Sequence, residues 1–152
     1  AQAYATFANG GEMNTAYFIT KIENASGDII ATHSKKSKRV ISQSVANQMT
    51  SMMLGTFSNG SAVNANYTGY TMAGKTGTAQ QSEIHPDHVL FVGFAPAENP
   101  EIAVAVRIAN GYSSAYTAEI GRDIVKSYYK ISDSDKLVTG KAAQLGAVTA
   151  GD

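Results

Sequence analysis

The stretch 69-GYTMAGKTGTA-79 fits two short patterns that make opposite demands on the surrounding chain. Residues 69–76 match G-x-x-x-x-G-K-[ST], the loop whose backbone N–H groups cradle a nucleotide phosphate. The same Lys75 opens the triplet K-T-G, which carries a different chemistry when it lies on a strand. One lysine cannot serve both, so the flanking sequence decides between a nucleotide-binding fold and a site on a sheet edge.

A phosphate loop needs a buried strand before its first glycine and a helix that begins at the Lys-Thr pair. The residues before Gly69 are SAVNANYT, which do not form an apolar strand. After Thr76 comes GTAQQSEIHPDH, in which an immediate glycine and a nearby proline oppose a helix. The sequence also lacks an apolar run that ends in aspartate to hold magnesium. These features argue against nucleotide binding.

The sequence around Lys75 instead favours a strand at the accessible edge of a sheet. Residues 70–79 read as a strand, and 88-HVLFVGFA-95 and 102-IAVAVRIA-109 follow as two more. The turn 96-PAENPE-101 joins the last two strands, so we expect an antiparallel pair.

Each residue of K-T-G-T offers a different group to a ligand. Lys75 supplies positive charge and can handle a proton, whereas Thr76 and Thr78 offer hydroxyls to a carboxylate. Gly77 has no side chain, so a substrate backbone can approach the strand closely. The Thr78 N–H is a candidate donor in an oxyanion hole. A lone K-T-G triplet is a weak signal, so the rest of the chain has to support this interpretation.

The remaining pattern predicts helices and a hairpin around that sheet, and hence an α+β fold. A helix at the start ends at 9-NGG-11, and a second helix, capped by serine, covers residues 42–57. Between them, 16-AYFITKIE-23 and 28-DIIAT-32 form a hairpin. A third helix is predicted for residues 114–129.

Two apolar patterns predict how the third helix packs. Its large side chains repeat every four residues and are expected to dock on the sheet: Tyr116, Ile120, Ile124 and Tyr128. One face of the last strand carries Ala103, Ala105 and Ala109. We expect that strand to be covered on both faces, with a helix lying close against the alanines.

Composition excludes several classes of function. The 152 residues include 12 basic and 12 acidic side chains, so the chain carries no net positive charge that would attract nucleic acid. Cysteine is absent, which excludes disulfides and thiolate chemistry. No apolar run approaches the roughly 18 residues of a membrane span. Residues 132–152 lack aromatics, and we expect a flexible tail over 131–152.

Two local clusters are interpreted as ordinary surface. His85 and His88, in 85-HPDH-88, look like metal ligands, but metal sites usually need more ligands at a rigid spacing, and His33 is distant in sequence. We therefore expect a hairpin loop there. The basic run 35-KKSKR-39 has no interleaved aromatics, so we expect a solvated turn after a strand.

The segments around K-T-G-T together resemble the end of a penicillin-binding protein transpeptidase domain. The run KTGTAQ, followed by FVGFAPAENPEIAVAV and a terminal helix, is similar to that family, as are the opening QAYATFANGG and the hairpin with GDII. The segment GFAPAENP is more similar to the monofunctional (class B) members than to the bifunctional ones. The resemblance covers residues 1–130. It implies the C-terminal portion of the penicillin-binding protein/serine β-lactamase fold, an antiparallel sheet with packed helices.

The resemblance also implies a serine D,D-transpeptidase. That family acylates a serine with the D-Ala-D-Ala end of a peptidoglycan stem peptide, and β-lactams trap the acyl-enzyme. By this resemblance Lys75 and Thr78 are catalytic, and Thr76, Gly77 and Thr78 bind substrate, with no cofactor and no metal. The serine belongs to S-x-x-K, and S-x-N completes the proton relay. We expect this chain to lack both motifs, which lie upstream in the family, and to be inactive alone.

Partners and location follow from the same resemblance. The expected ligands are the stem peptide and β-lactams, bound together with an upstream half, besides the cell-wall synthesis partners of a full-length protein. The implied location is the extracytoplasmic face of the bacterial membrane, anchored by an N-terminal span outside this chain. A lone piece exposes a sheet edge, so we also expect self-association. Two alternatives stay open: a serine β-lactamase fragment, and a non-catalytic module that binds a peptide or partner.

Overall fold

The computed structural model describes residues 1–81 and 83–131, so the predicted tail falls outside the described residues apart from Ile131. The helices are α1 (Gln2–Ala8), α2 (Gln43–Ser58) and α3 (Ser114–Tyr128). The strands are β1 (Glu12–Asn14), β2 (Lys21–Glu23), β3 (Ile29–Thr32), β4 (Ser37–Arg39), β5 (Ala73–Ala79), β6 (His88–Ala95) and β7 (Ile102–Ile108). The predicted α+β class is confirmed. Within the described ranges no helix has the length and apolarity to cross a membrane.

The three longest strands form an antiparallel sheet in the order β5, β6, β7, and the predicted antiparallel pairing of the last two is confirmed. The register pairs Lys75 with Val92, and Val92 with Ala105. The central strand β6 holds the sheet's most deeply buried large side chains, Phe91 and Phe94. No described strand pairs with the outer side of β5, so the K-T-G-T segment lies on an edge strand, as expected.

Helix α3 packs on the face of the sheet that carries Phe91, but not through the predicted stripe. A β-carbon at Gly121 would lie 2.5 Å from two atoms of the Phe91 ring, so the helix approaches very closely there. Its buried residues are accordingly small or medium-sized: Thr117, Ala118, Gly121 and Val125. The predicted stripe remains 40–58% exposed at Tyr116, Ile120, Ile124 and Tyr128. That docking prediction is wrong because close approach to an aromatic ring selects small side chains.

The two faces of β7 are covered unequally. Val104 is buried in the same core cluster as Phe91 and Val125, on the face that α3 covers. On the alanine face, Ala103 packs against a second cluster to which α1 contributes, whereas Ala105 is exposed. The prediction that a helix lies close against the alanine face is therefore wrong beyond Ala103. Helix α3 packs instead on the face with the larger side chains.

Helix α2 connects the core to the edge strand. Ser42 caps its N-terminus, as predicted. Near its C-terminal end, the Phe57 ring meets the Phe91 ring edge-on with centroids 6.0 Å apart. The Thr56 hydroxyl donates to the Gly74 carbonyl oxygen at 2.9 Å and also to the carbonyl oxygen of Met53 in its own helix. These contacts fix the end of α2 beside β5.

Two short antiparallel pairs precede α2. Strands β2 and β3 form the predicted hairpin, and all their residues are exposed. The pairing of β1 with β4 is not predicted by the sequence. Arg39 holds this pair in place through Glu12 at 3.2 Å and the Gly10 carbonyl at 2.8 Å. Residues 37–39 of the basic run are therefore strand, which corrects the predicted turn at 35–39.

Candidate active site

The K-T-G-T segment presents alternate backbone groups at the free edge of β5. The Thr56 hydroxyl donates to the Gly74 carbonyl oxygen at 2.9 Å. Lys75 Nζ donates to the Thr76 carbonyl oxygen, also at 2.9 Å. In an antiparallel strand the N–H and C=O of one residue point to the same side, and successive residues alternate. The Thr78 N–H therefore points to the free edge, as an oxyanion donor must.

Lys75 bends across this edge toward its neighbour. Its Nζ lies 2.9 Å from the Thr76 carbonyl oxygen and 3.4 Å from Thr76 Oγ1. An ammonium group only donates hydrogen bonds, so both oxygens act as acceptors toward it. The side chain is exposed, which leaves the positive charge accessible to a ligand at the edge.

The Thr76 hydroxyl has a partner inside the protein. The residue is only 6% exposed, and its Oγ1 lies 2.5 Å from Ser61 Oγ. Thr78 is exposed and Gly77 is half-buried. All four predicted site residues therefore lie along one edge, but the Thr76 hydroxyl reaches a ligand less directly than the sequence suggests.

Ser61 contacts the site residue Thr76, and sequence reasoning missed this contact. The loop after α2 turns back along β5, and the Ala62 N–H donates to the Thr56 carbonyl at 3.0 Å. A β-carbon at Gly60 would lie 2.7 Å from the Thr56 α-carbon, so glycine is what permits this turn. Ser61 and Thr76 are 15 residues apart, and no local spacing signals their contact.

Gly77 has little packing reason to be glycine. A β-carbon there would lie 3.7 Å from two atoms of Leu90, which is an ordinary contact. At Gly74, in contrast, a β-carbon would lie 2.7 Å from the Val92 carbonyl oxygen. Packing of the described chain explains the glycine at 74 but not the one at 77. The space at 77 suits a ligand backbone that approaches the strand.

The histidine-containing segment after β5 is a bend that leads into β6. His88 Nδ1 accepts the Asn110 N–H at 3.2 Å, so Nε2 carries the proton and donates it to Gln81. Both ring nitrogens of His88 are therefore engaged within the protein. Among residues 1–81 and 83–131, no three His, Asp or Glu side chains gather as a metal site.

The letters S-x-x-K do occur in the chain, at 127-SYYK-130, so the expectation that this motif is absent is wrong. Helix α3 ends at Tyr128, and Lys130 follows in the left-handed conformation with φ 54°, which takes it off a common helical face with Ser127. Tyr129 donates to Glu101 at 3.2 Å, which places this end of α3 beside the start of β7. The match therefore lies across the sheet from the β5 edge. S-x-N does not occur.

Comparison with known proteins gives a consistent result. A family model described as "Penicillin binding protein transpeptidase domain" matches residues 1–126. The peptidoglycan D,D-transpeptidase PbpA of Mycobacterium tuberculosis is 31% identical over 137 residues, covering 84% of this chain and 28% of that protein. Penicillin-binding protein 2a of Streptococcus pneumoniae is 52% identical over 99 residues, covering 63% of this chain and 13% of that protein.

Solved structures show the same likeness. The imipenem acyl-enzyme complex of penicillin-binding protein A from M. tuberculosis superposes with a TM-score of 0.77 at 32% identity, over 84% of this chain and 29% of the other. The D,D-transpeptidase domain of a peptidoglycan glycosyltransferase from Eggerthella lenta gives a TM-score of 0.79 at 27% identity, over 86% and 31%. The chain thus spans less than a third of each of these four relatives.

Proposed function

Because the chain belongs to the penicillin-binding protein transpeptidase family, we propose that it supplies the substrate-binding edge of a serine D,D-transpeptidase. The whole protein would cross-link peptidoglycan stem peptides and be acylated by β-lactams. Support comes from the D,D-transpeptidase name of PbpA and from the acyl-enzyme complex of a relative. The PbpA name also agrees with the monofunctional (class B) type. The transpeptidase match favours this function over a β-lactamase fragment or a non-catalytic module.

One observation carries the proposal: the exposed K-T-G-T edge, with a cation and an outward N–H side by side. In the proposed reaction the Thr78 N–H donates to the substrate carbonyl oxygen as it becomes negative. Lys75 supplies positive charge beside the reacting groups and assists proton transfer. Gly77 leaves room for the substrate backbone, and Thr76 and Thr78 bind the terminal carboxylate of the stem peptide, Thr78 through its exposed hydroxyl and Thr76 less directly from its buried position.

The attacking serine comes from outside this chain in our proposal. The geometry of 127-SYYK-130 supports this, because Ser127 belongs to the opposite side of the sheet from Lys75. We therefore expect the 152-residue chain alone to form no covalent adduct with a fluorescent penicillin on a denaturing gel. A full-length protein carrying the chain is expected to label, and labelling of the isolated chain would contradict the assignment.

The cellular setting is part of the same proposal. The stem peptide is the proposed substrate, and β-lactams are its proposed mimics at the same edge. We propose action at the extracytoplasmic face of the bacterial membrane, through a span that is not part of this chain, together with cell-wall synthesis partners. The isolated chain is proposed to self-associate through the surfaces that the described fold leaves open.

A further inference from the structure

Ser61 is placed to act on a ligand although it lies outside the K-T-G-T segment. Contacts follow one another along β5: the Thr56 hydroxyl bonds the Gly74 carbonyl oxygen, Ser61 bonds the side-chain hydroxyl of Thr76, and Thr78 comes next. Successive alternate positions of a strand are about 6.5 Å apart. Ser61 is exposed whereas Thr76 beneath it is buried, so a ligand arriving at the edge meets the Ser61 hydroxyl first.

Lys75, Thr76 and Ser61 form a chain of hydrogen-bonding groups that begins at a cation. Lys75 Nζ can only donate, so Thr76 Oγ1, 3.4 Å away, accepts from it. Either hydroxyl of the Thr76–Ser61 pair can donate across the 2.5 Å between them. In the arrangement that continues the chain from Lys75, Thr76 donates to Ser61, and the Ser61 proton is free to point outward. A chain of donors from a cation polarises each hydroxyl in turn, which makes the last proton a better donor to an anion.

We propose that Ser61 is a specificity-determining residue that donates this outward hydrogen bond to the carboxylate of the substrate. Thr76 acts through Ser61, while Thr78 contributes the neighbouring exposed hydroxyl. The inference rests on the proposed function, because a transpeptidase substrate ends in a carboxylate. It differs from that function in naming a residue on the preceding loop as the group that selects the charged terminus.

The test uses the full-length transpeptidase that carries this chain and compares benzylpenicillin, a carboxylate, with its methyl ester. The measured quantity is the second-order rate constant of acylation for each compound. We expect Ser61→Ala to lower the acid-to-ester rate ratio about tenfold or more, because hydrogen bonds to charged groups are the stronger class. Ser61→Thr, which keeps the hydroxyl, should retain at least part of the wild-type preference.

The matched control is Ser58→Ala, which removes an exposed hydroxyl whose hydrogen bonds within the described residues go to Gly55 and Asn59, at the end of α2. It should leave both rates and their ratio unchanged. If Ser61→Ala slows acid and ester equally, or leaves the ratio intact, the proposed role is wrong and Ser61 merely holds its loop.

A wild-type protein that no penicillin acylates would overturn the proposed function rather than this role alone. Calorimetric binding of N-acetyl-D-Ala-D-Ala and of its C-terminal amide then decides the role of Ser61. A lower acid-to-amide affinity ratio in Ser61→Ala would support it, and an unchanged ratio would overturn it.

Discussion

Among the described residues Lys75 hydrogen-bonds to Thr76, and its side chain is exposed, so its chemistry can be removed without disturbing the core. In the full-length protein we expect Lys75→Met to lower the acylation rate by penicillin about 10²- to 10⁴-fold, the usual contribution of a proton-handling group. The thermal midpoint should stay within a few degrees. Burst kinetics with a fluorescent penicillin measure the first quantity, and circular dichroism measures the second.

Lys130→Met is the matched control for that substitution. It removes the lysine of the S-x-x-K letters at the end of α3, and we expect acylation at the wild-type rate. A large loss with Lys130→Met, or wild-type acylation with Lys75→Met, would contradict the placement of the site on β5.

Tyr70 links the loop before β5 to α3, and burial raises its pKa to about 12, while the nearby Arg122 opposes the shift. Its hydroxyl donates to the Arg122 carbonyl at 2.9 Å. The unfolded chain releases this proton near pH 10 and the folded chain only near pH 12, so stability is lost as pH rises between those values. We expect the thermal midpoint to fall from pH 10 to pH 12.

The variant Tyr70→Phe should show a shallower fall over the same interval, although it starts from a lower midpoint because a hydrogen bond is lost. Tyr112→Phe, at an exposed position, should keep the wild-type slope. Equal slopes in wild type and Tyr70→Phe, measured by calorimetry, would show that Tyr70 does not carry the alkaline transition.

At the scale of elements, the close packing of α3 against β6 depends on Gly121. Gly121→Ala improves helix propensity by about 1 kcal/mol, but its methyl group would lie 2.5 Å from the Phe91 ring. Overpacking typically costs about 1–3 kcal/mol, so we expect a net loss of stability. Gly55→Ala in α2 is the control, because its β-carbon would meet only an Asn59 side-chain atom at 4.0 Å.

Urea unfolding of the two variants measures this difference. We expect Gly55→Ala to unfold at the same or a higher urea concentration than wild type, and Gly121→Ala at a lower one. The opposite order would mean that α3 does not rest on Phe91 as described.

Local pattern predicts the strands and helices well because alternation, glycine stops and serine caps act within a few residues of each other. The predicted docking of the stripe from Tyr116 to Tyr128 is wrong because periodicity identifies an apolar face without showing how closely that face can approach an aromatic ring. The contact of Ser61 with Thr76 was beyond prediction for a related reason. It depends on how the loop after α2 folds back on β5, and a serine in a polar loop carries no signal of that path.

At the scale of the whole molecule, the described chain leaves apolar surface uncovered. The α3 stripe is 40–58% exposed, and neither outer edge of the β5–β6–β7 sheet has a strand partner within the described residues. Open edges and apolar patches favour pairing with another chain. We expect the isolated chain to sediment as a dimer or larger species at about tens of micromolar. The double variant Ile120→Lys with Ile124→Lys should shift it toward monomer, whereas a clean wild-type monomer would contradict self-association.

The central claim is that this chain carries the K-T-G-T edge of a transpeptidase whose acylated serine lies elsewhere in the full-length protein. The most direct measurement is to label that protein with a fluorescent penicillin and locate the modified residue by peptide mass spectrometry. We predict a single acylated serine outside residues 1–152. An adduct on Ser127 or on any other residue of this chain, or the absence of an adduct, would contradict the account.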